Sequence, residues 1–352
     1  MPCLHTTKDK LMNTPLNPTR IIETGLGFWA SKTLLSAVEL GLFGMLGDKA
    51  LTGTELTKAL GLHDRANPDF YDTLLATGFL ERDGDGPAAR YRNTAETATF
   101  LDRTKPSYVG GILVMANSRL FRFWADLTEA LKTGKPQNET KNGGQSFFGE
   151  LYANPERLEQ FVEAMSGIST GNFMALAEKF DFSKYKALCD IGGAGGVLSI
   201  MVATRHQHMS CITADLPAIS AIAKKKIAQV GLSDRIETRN VDFFKDPLPK
   251  ADVITMGMIL HDWDLENKMM LIRKAYDALP EGGAFIAIEA IIDDARRQNA
   301  FGLMMSLNML IEFGVAFDFT GADFSRWCKE VGFKSTEIIP LAGPSSAAVA
   351  YK

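Results

Sequence analysis

Cysteine is scarce in this 352-residue chain, and its four copies, Cys3, Cys189, Cys211 and Cys328, lie far apart with no Cys-x-x-Cys pair. The spacing excludes a disulfide framework, and two of the four fall in apolar strand-like runs, as in a reduced cytoplasmic protein. Long apolar runs are missing too. The longest, Phe301 to Ile311, is interrupted by Ser306 and Asn308 and is too short to span a bilayer. The start, with Lys8 and Lys10, is polar and has no apolar targeting core. Basic residues are not in excess: 38 Lys and Arg against 42 Asp and Glu leave a net charge of −4, with no general attraction to nucleic acid or an anionic membrane. Lys224-Lys225-Lys226 reads as one solvated helix face. Only five histidines occur, and His206-x-His208 has no acidic or cysteine partners around it, so no metal is expected. Internal repeats and low-complexity segments are absent.

Glycine, by contrast, is placed informatively. The apolar run Leu188-Cys189-Asp190-Ile191 enters Gly192-Gly193-Ala194-Gly195-Gly196 and leaves through a helix-like segment, Val197 to Ala203. Glycine lacks a Cβ, so such a turn can take positive φ and let a ligand lie against the main chain. A dinucleotide fingerprint needs G-x-G-x-x-G, but counting from Gly193 the third position is Leu198, so a plain strand-to-helix turn stays open. The next apolar run, Cys211 to Ala214, ends in Asp215, 23 residues after Gly192, near the offset where a carboxylate meets ribose hydroxyls. After a third strand, Ile236 to Arg239, Asp242 is placed to accept an adenine amino group and Phe243 to stack on the ring; loop and core roles are equally open for both. A fourth strand, Ala251 to Met256, leads to Leu260-His261-Asp262-Trp263-Asp264.

This order of features resembles the small-molecule O-methyltransferases that use S-adenosylmethionine, of the caffeate, isoflavone and hydroxyindole type. Asp215-Leu216-Pro217, the stretch from Asp242 to Pro249 and that from Tyr276 to Gly283 add to the likeness, which runs from about Pro18 to Lys352 and is densest after Asp181. The resemblance implies S-adenosylmethionine as cofactor and S-adenosylhomocysteine as product. It implies Asp190, Gly192, Gly193, Gly196, Asp215, Leu216, Asp242, Phe243, Met256, Gly257 and Trp263 around the cofactor. It makes His261 the general base, backed by Glu289, 28 residues on at the end of strand five, and by Asp318. Three departures stand out. Ala194 replaces a third consecutive glycine, Gly257 replaces a lysine of plant members, and Asp318 replaces a glutamate one methylene longer, which leaves its contact with the imidazole open.

Methyl transfer is an in-line displacement at a carbon already activated by a sulfonium, so the protein's part is alignment and removal of the acceptor's proton. A neutral imidazole suits that removal, with Glu289 fixing its tautomer and stabilising the imidazolium. The residues expected around the acceptor are Phe123, Trp124, Met165, Phe173, Asp262, Met305, Asn308 and Met309, beside His261. A thioether acid is the alternative acceptor, as in 4-methylthio-2-hydroxybutyrate S-methyltransferases on the route to dimethylsulfoniopropionate; a thioether has no proton to lose, and His261 would then bind the acceptor.

The expected fold is α/β: a Rossmann-like class I methyltransferase sheet, parallel with one antiparallel edge strand, plus an N-terminal α-helical, winged-helix-like dimerisation domain. Residues 1–20 are expected to form a flexible arm, 21–104 the dimerisation domain, 105–180 a helical connector contributing to the acceptor pocket, and 181–352 the cofactor-binding catalytic domain. Leu34, Leu35, Val38, Leu42, Met45 and Leu46 keep helical spacing, Thr52 and Glu55 form a capping box, and Phe79 to Arg92 reads as a hairpin. Phe28 and Trp29 read as core more readily than as interface. The third helix carries Asp69 and Asp72 and no basic residue between Ala66 and Leu80, against a non-catalytic DNA-binding role. The resemblance implies a homodimer through this domain, a small-molecule acceptor, and neither nucleic acid nor membrane as partner. The polar stretch Thr133 to Gln145 is the expected linker.

Overall fold

The computed structural model describes residues 16–143, 151–152 and 154–352. Most of the expected arm, with Cys3, Lys8 and Lys10, lies outside the described residues, as do Phe147 and Phe148 of the connector and the end of the polar stretch, Gly144-Gln145. The chain forms two compact units that divide between Pro106 and Ser107.

The first unit contains α1 (Thr19–Leu26), α2 (Phe28–Glu39), α3 (Leu42–Leu46), β1 (Leu51–Thr52), α4 (Gly53–Ala59), α5 (Asp69–Ala76), β2 (Leu80–Asp83), β3 (Arg90–Asn93) and α6 (Ala95–Phe100). The Thr52 hydroxyl accepts from the Glu55 N–H at 3.3 Å and the Glu55 carboxylate from the Thr52 N–H at 2.7 Å, the reciprocal cap expected from the sequence. Leu35, Val38, Leu42, Leu46, Leu56, Tyr71 and Leu74 are buried and tie α2 to α5. On α5, Asp72 accepts from Arg82 at 2.8 Å and from the Tyr91 hydroxyl at 2.7 Å, so one of its acids braces the hairpin β2–β3. Phe28 and Trp29 do not join the core: they are 52% and 59% exposed, because no apolar layer among the described residues covers α1 and the start of α2.

The second unit opens with α7 (Gly110–Met115), α8 (Phe121–Trp124) and α9 (Leu127–Thr133), the first two joined by a π-turn at Ala116–Leu120. The polar stretch after α9 is no free linker. Gln137 N–H donates to the Ile311 carbonyl at 2.7 Å and the Asn138 amide to the Glu312 carbonyl at 2.6 Å, both side chains being buried. Next come α10 (Pro155–Lys179), β4 (Ala187–Ile191), α11 (Val197–Arg205), β5 (Ser210–Asp215), α12 (Pro217–Gln229), β6 (Ile236–Asn240), β7 (Val253–Gly257), α13 (Leu265–Ala278) and β8 (Ala284–Glu289). The chain closes with α14 (Ala300–Phe313), α15 (Gly321–Val331), β9 (Ser335–Pro340) and β10 (Ser346–Tyr351).

Seven strands form one sheet in the order β6-β5-β4-β7-β8-β10-β9, and only β10 runs against its neighbours. That antiparallel strand lies one place in from the edge, not at the edge. The short turn after Pro340 forces β9 and β10 to run in opposite directions. The apolar Ala347 to Ala350, all buried, take the interior place, and the more polar β9 takes the rim. Strands β7 and β8 are buried almost throughout, with Ile254 and Phe285 in the core on one face and Val253 and Ile286 in that on the other, as helices on both sides require. The chain builds outward from β4 to β6 and then crosses back to β7, which makes a crevice at the carboxyl ends of β4 and β7. Among the described residues no helix is long and apolar enough to cross a membrane.

Candidate active site

The glycine turn leaves β4 at that crevice. Gly192 and Gly196 take φ of 66° and 73°, and Ala194, at the place of the third consecutive glycine, takes 46°. A Cβ on Gly193 would sit 2.2 Å from the Thr213 hydroxyl oxygen and 2.8 Å from a carboxylate oxygen of Asp190, so the bare backbone is required. Asp190 accepts from the Thr255 hydroxyl at 2.7 Å; burial pushes its carboxyl up to about 7 against that hydrogen bond. Asp215, at the tip of β5, accepts from the Leu216 N–H at 2.7 Å and the Ala194 N–H at 2.9 Å, clamping the turn to the next strand. Burial raises its carboxyl to about 6 and the two N–H groups oppose the rise.

Beyond β6, Asp242 accepts from the Phe244 N–H at 3.1 Å and pairs with Lys245 at 2.8 Å, which holds its carboxyl below the usual range. Phe243 packs 6.1 Å from the Trp263 ring and Phe244 4.5 Å from it, so the Asp242 loop and the turn after β7 share one aromatic wall. Among the described residues the buried Trp263 indole N–H has no hydrogen-bond partner. Met256 is buried at the end of β7, and at Gly257 a Cβ would already touch the Phe173 ring at 3.3 Å. Turn, carboxylates and aromatic wall thus line the carboxyl edge of β4, β5 and β6, an arrangement fit for a nucleoside joined to an amino acid.

His261 stands on a 3₁₀ turn, Leu260–Asp262, and is buried. Its Nδ1 lies 3.3 Å from Asp318 and 3.7 Å from Glu289, and its Nε2 lies 3.4 Å from Asp262. Glu289 is therefore not the nearest partner of the ring. Its Oε1 accepts from the backbone N–H groups of Ile259, Leu260 and His261 at 3.1 to 3.4 Å, which fixes the turn that carries the imidazole. Burial alone would depress the imidazole, but Glu289, Asp262 and Asp318 outweigh it and push the ring up to about 10. Burial also raises Glu289 and Asp262, so the cluster as a whole holds a proton, with the imidazole as its strongest base. His261, Glu289 and Asp318 offer one donor atom each within 4.8 Å of one another, a separation within reach of a metal ion. The buried ammonium of Lys268 already supplies positive charge to these carboxylates, so we assign no metal there.

Helix α14 packs against both the His261 turn and α8. It brings Asn308 to Trp124, whose indole N–H donates to the Asn308 carbonyl at 2.9 Å. On the same helix Met305 is half-buried and Met309 buried, and Ser306 accepts the Asp318 N–H at 3.2 Å. Met165 lies two turns before Phe173 on α10, about 12 Å along the axis, and so does not share its contact with Gly257. Phe123 lies under the Arg119 guanidinium, 5.3 Å from its centre.

Sequence reading missed two buried cations. Arg119 bridges Glu139, at 2.6 and 2.9 Å, and Glu312, at 3.1 Å, tying the connector to α14; Lys268 lies beside the His261 cluster. Nothing in the local pattern separates either from a solvated basic residue, and only the acids at distant positions give them a role.

A family model described as the O-methyltransferase domain matches residues 124–334, and one described as the O-methyltransferase dimerisation domain matches residues 22–103. The tetracenomycin polyketide synthesis 8-O-methyltransferase of Streptomyces glaucescens is 38% identical over 335 residues, 95% of this chain and 97% of the relative. The 3-hydroxy-5-methyl-1-naphthoate 3-O-methyltransferase of Streptomyces sahachiroi is 33% identical, over 94% of each chain. The crystal structure of human N-acetylserotonin methyltransferase in complex with S-adenosylmethionine shares the fold at a TM-score of 0.87 and 24% identity, over 100% of this chain and 99% of the other.

Proposed function

The chain belongs to the S-adenosylmethionine-dependent O-methyltransferases of small molecules, and from that premise we propose that its acceptor is a hydroxylated aromatic ring whose proton passes to Nε2 of His261. The observation that carries the proposal is the buried imidazole with Nδ1 turned to Asp318, which puts Nε2, beside Asp262, on the opposite side of the ring for the acceptor. The aromatic acceptor is supported by the apolar set Phe123, Trp124, Phe173, Met305 and Met309, and by relatives named for a tetracenomycin polyketide and a hydroxynaphthoate. These relatives are O-methyltransferases, which disfavours the thioether acceptor. The non-catalytic DNA-binding reading falls with membership of an enzyme family.

Bound S-adenosylmethionine supplies a methyl group on a sulfonium. Gly192, Gly193 and Gly196 would let it lie against the main chain, Asp215 and Leu216 would meet its ribose, Asp242 and Phe243 its base, and Asp190, Met256, Gly257 and Trp263 would complete the cleft. Asp318 would orient the imidazole and balance the positive charge that forms on it, Glu289 fixes the turn beneath it, and Asp262 lies at the acceptor side of the ring. Trp124 and Asn308, locked together, would orient the acceptor. The exposed Ile21, Ile22, Phe28 and Trp29 support a homodimer with a second copy over this face, and sedimentation of a W29E variant as a monomer is the expected result. Buried free thiols at Cys189, Cys211 and Cys328 support a cytoplasmic location.

The test is methyl-labelled S-adenosylmethionine incubated with a panel of phenols, hydroxynaphthoates and methylthio acids, with S-adenosylhomocysteine release as readout. Turnover on a hydroxylated ring, lost in H261Q with cofactor affinity retained, is expected. Turnover on methylthio acids alone would overturn the proposal.

A further inference from the structure

Lysine is costly to bury, and Lys268 is fully buried. It does not serve its own helix, because it lies at the start of α13, where the dipole disfavours a cation. Its ammonium donates to the Trp263 carbonyl and lies 3.6 Å above the centre of the Phe317 ring, the residue next to Asp318. It therefore stands between the turn that carries His261 and Asp262 and the loop that carries Asp318. The charges facing it are Glu289, Asp318, Asp262 and Asp264, and those facing the imidazole are Glu289, Asp262 and Asp318, with Glu312 acting on Asp262 from α14.

Three carboxylates around one imidazole strengthen its hold on a proton, which works against its service as a base. A nearby cation weakens that hold by Coulomb repulsion with the imidazolium. We propose that Lys268 is a positioning residue of the reaction, the buried counter-charge that weakens the hold of the His261 ring on its proton against the pull of Asp262, Glu289 and Asp318. The inference rests on the reading of His261 as the base. Burial works against the charged form of Lys268 and brings it down to about 8, with the surrounding acids opposing the fall, so it remains a cation at neutral pH. Trp263 couples the same ammonium to the aromatic wall of the cofactor cleft.

The experiment is the pH profile of kcat/KM for wild type, K268M and K268R, paired with a nuclear magnetic resonance titration of the His261 ring, assigned among five histidines by its loss in H261Q. In K268M the acid limb and the ring titration should both move up by about one pH unit or more, with rate recovering at high pH. In K268R, which keeps the charge, both should stay near the wild-type position. A limb and a ring titration that coincide in K268M and K268R would overturn the proposal, as would a K268M rate that falls equally at every pH. If K268M does not fold, K268Q against K268R gives the same comparison. Failure of the base itself reads differently: H261Q would keep the wild-type limb, while the ring titration in K268M would still report whether Lys268 acts on His261.

Discussion

Asp318 stands closer to the His261 ring than Glu289 does, 3.3 Å against 3.7 Å from Nδ1. The shorter side chain reaches because its loop is drawn in by Ser306 on its own N–H and by the bridge between Ile292 and Thr320. The two acids therefore divide the work: Asp318 orients the ring, and Glu289 holds the backbone of the turn.

Variants should separate those roles. D318N is expected to lower kcat by about 10²-fold with little change in folding, since general-base catalysis is worth about 10² to 10⁴. E289A should also unfold more easily, by about 2 kcal/mol, because two buried N–H groups and a part-buried one lose their acceptor. Kinetics and urea unfolding on both variants check this, and the reverse ordering would refute the division.

Ala194 carries a left-handed backbone, with φ of 46°, that costs a Cβ-bearing residue about 1 kcal/mol. A194G removes that strain but gives the unfolded chain more freedom, so the expected net gain is small, about 0.5 kcal/mol in urea unfolding. G193A should do the opposite, because its new Cβ would collide with the Thr213 hydroxyl and Asp190. A destabilised A194G would show that the Ala194 methyl packs better than its backbone suggests.

Asp215 should trade stability for binding. Its folded-state carboxyl lies at about 6, above the ordinary 3.8, so the native protein binds the extra proton between those values. Stability therefore falls as pH rises through that window, and the loss is complete above about 6. D215N should make the ligand-free protein more stable at pH 8 by about 1 to 2 kcal/mol, with no difference near pH 4, while weakening cofactor binding. Thermal unfolding at both pH values and calorimetric titration of S-adenosylmethionine read the two effects, and a parallel loss of both would contradict the prediction.

The hydrogen bond between Trp124 and Asn308 gives a fourth test. W124F keeps the ring but frees the Asn308 carbonyl, and the KM for the acceptor should rise about fivefold, the worth of one hydrogen bond, with cofactor affinity unchanged. An unchanged KM would mean that the pair does not face the acceptor.

Much of the architecture was legible because its signals are local. The glycine turn, Asp215 at a strand tip and the Thr52 capping box each depend on neighbours a few residues away, and each stands where the chain order put it. The order of the closing strands was less so: a short turn requires β9 and β10 to be antiparallel, but only the burial of Ala347 to Ala350 decides which of them pairs with β8. The stretch from Thr133 read as a linker because polar residues usually stay solvated, yet Gln137 and Asn138 are docked on α14.

The sequence by itself determined the kinds of element, their succession and the residue types gathered at the candidate site, since periodicity, turn chemistry and motif spacing are properties of short segments. Tertiary structure alone decided which acid reaches Nδ1 of His261, which acid braces the turn, and which lysine lies buried beside them. Those choices depend on distances between residues as much as 57 positions apart and on the exclusion of water around them, and neither quantity exists until the chain has folded.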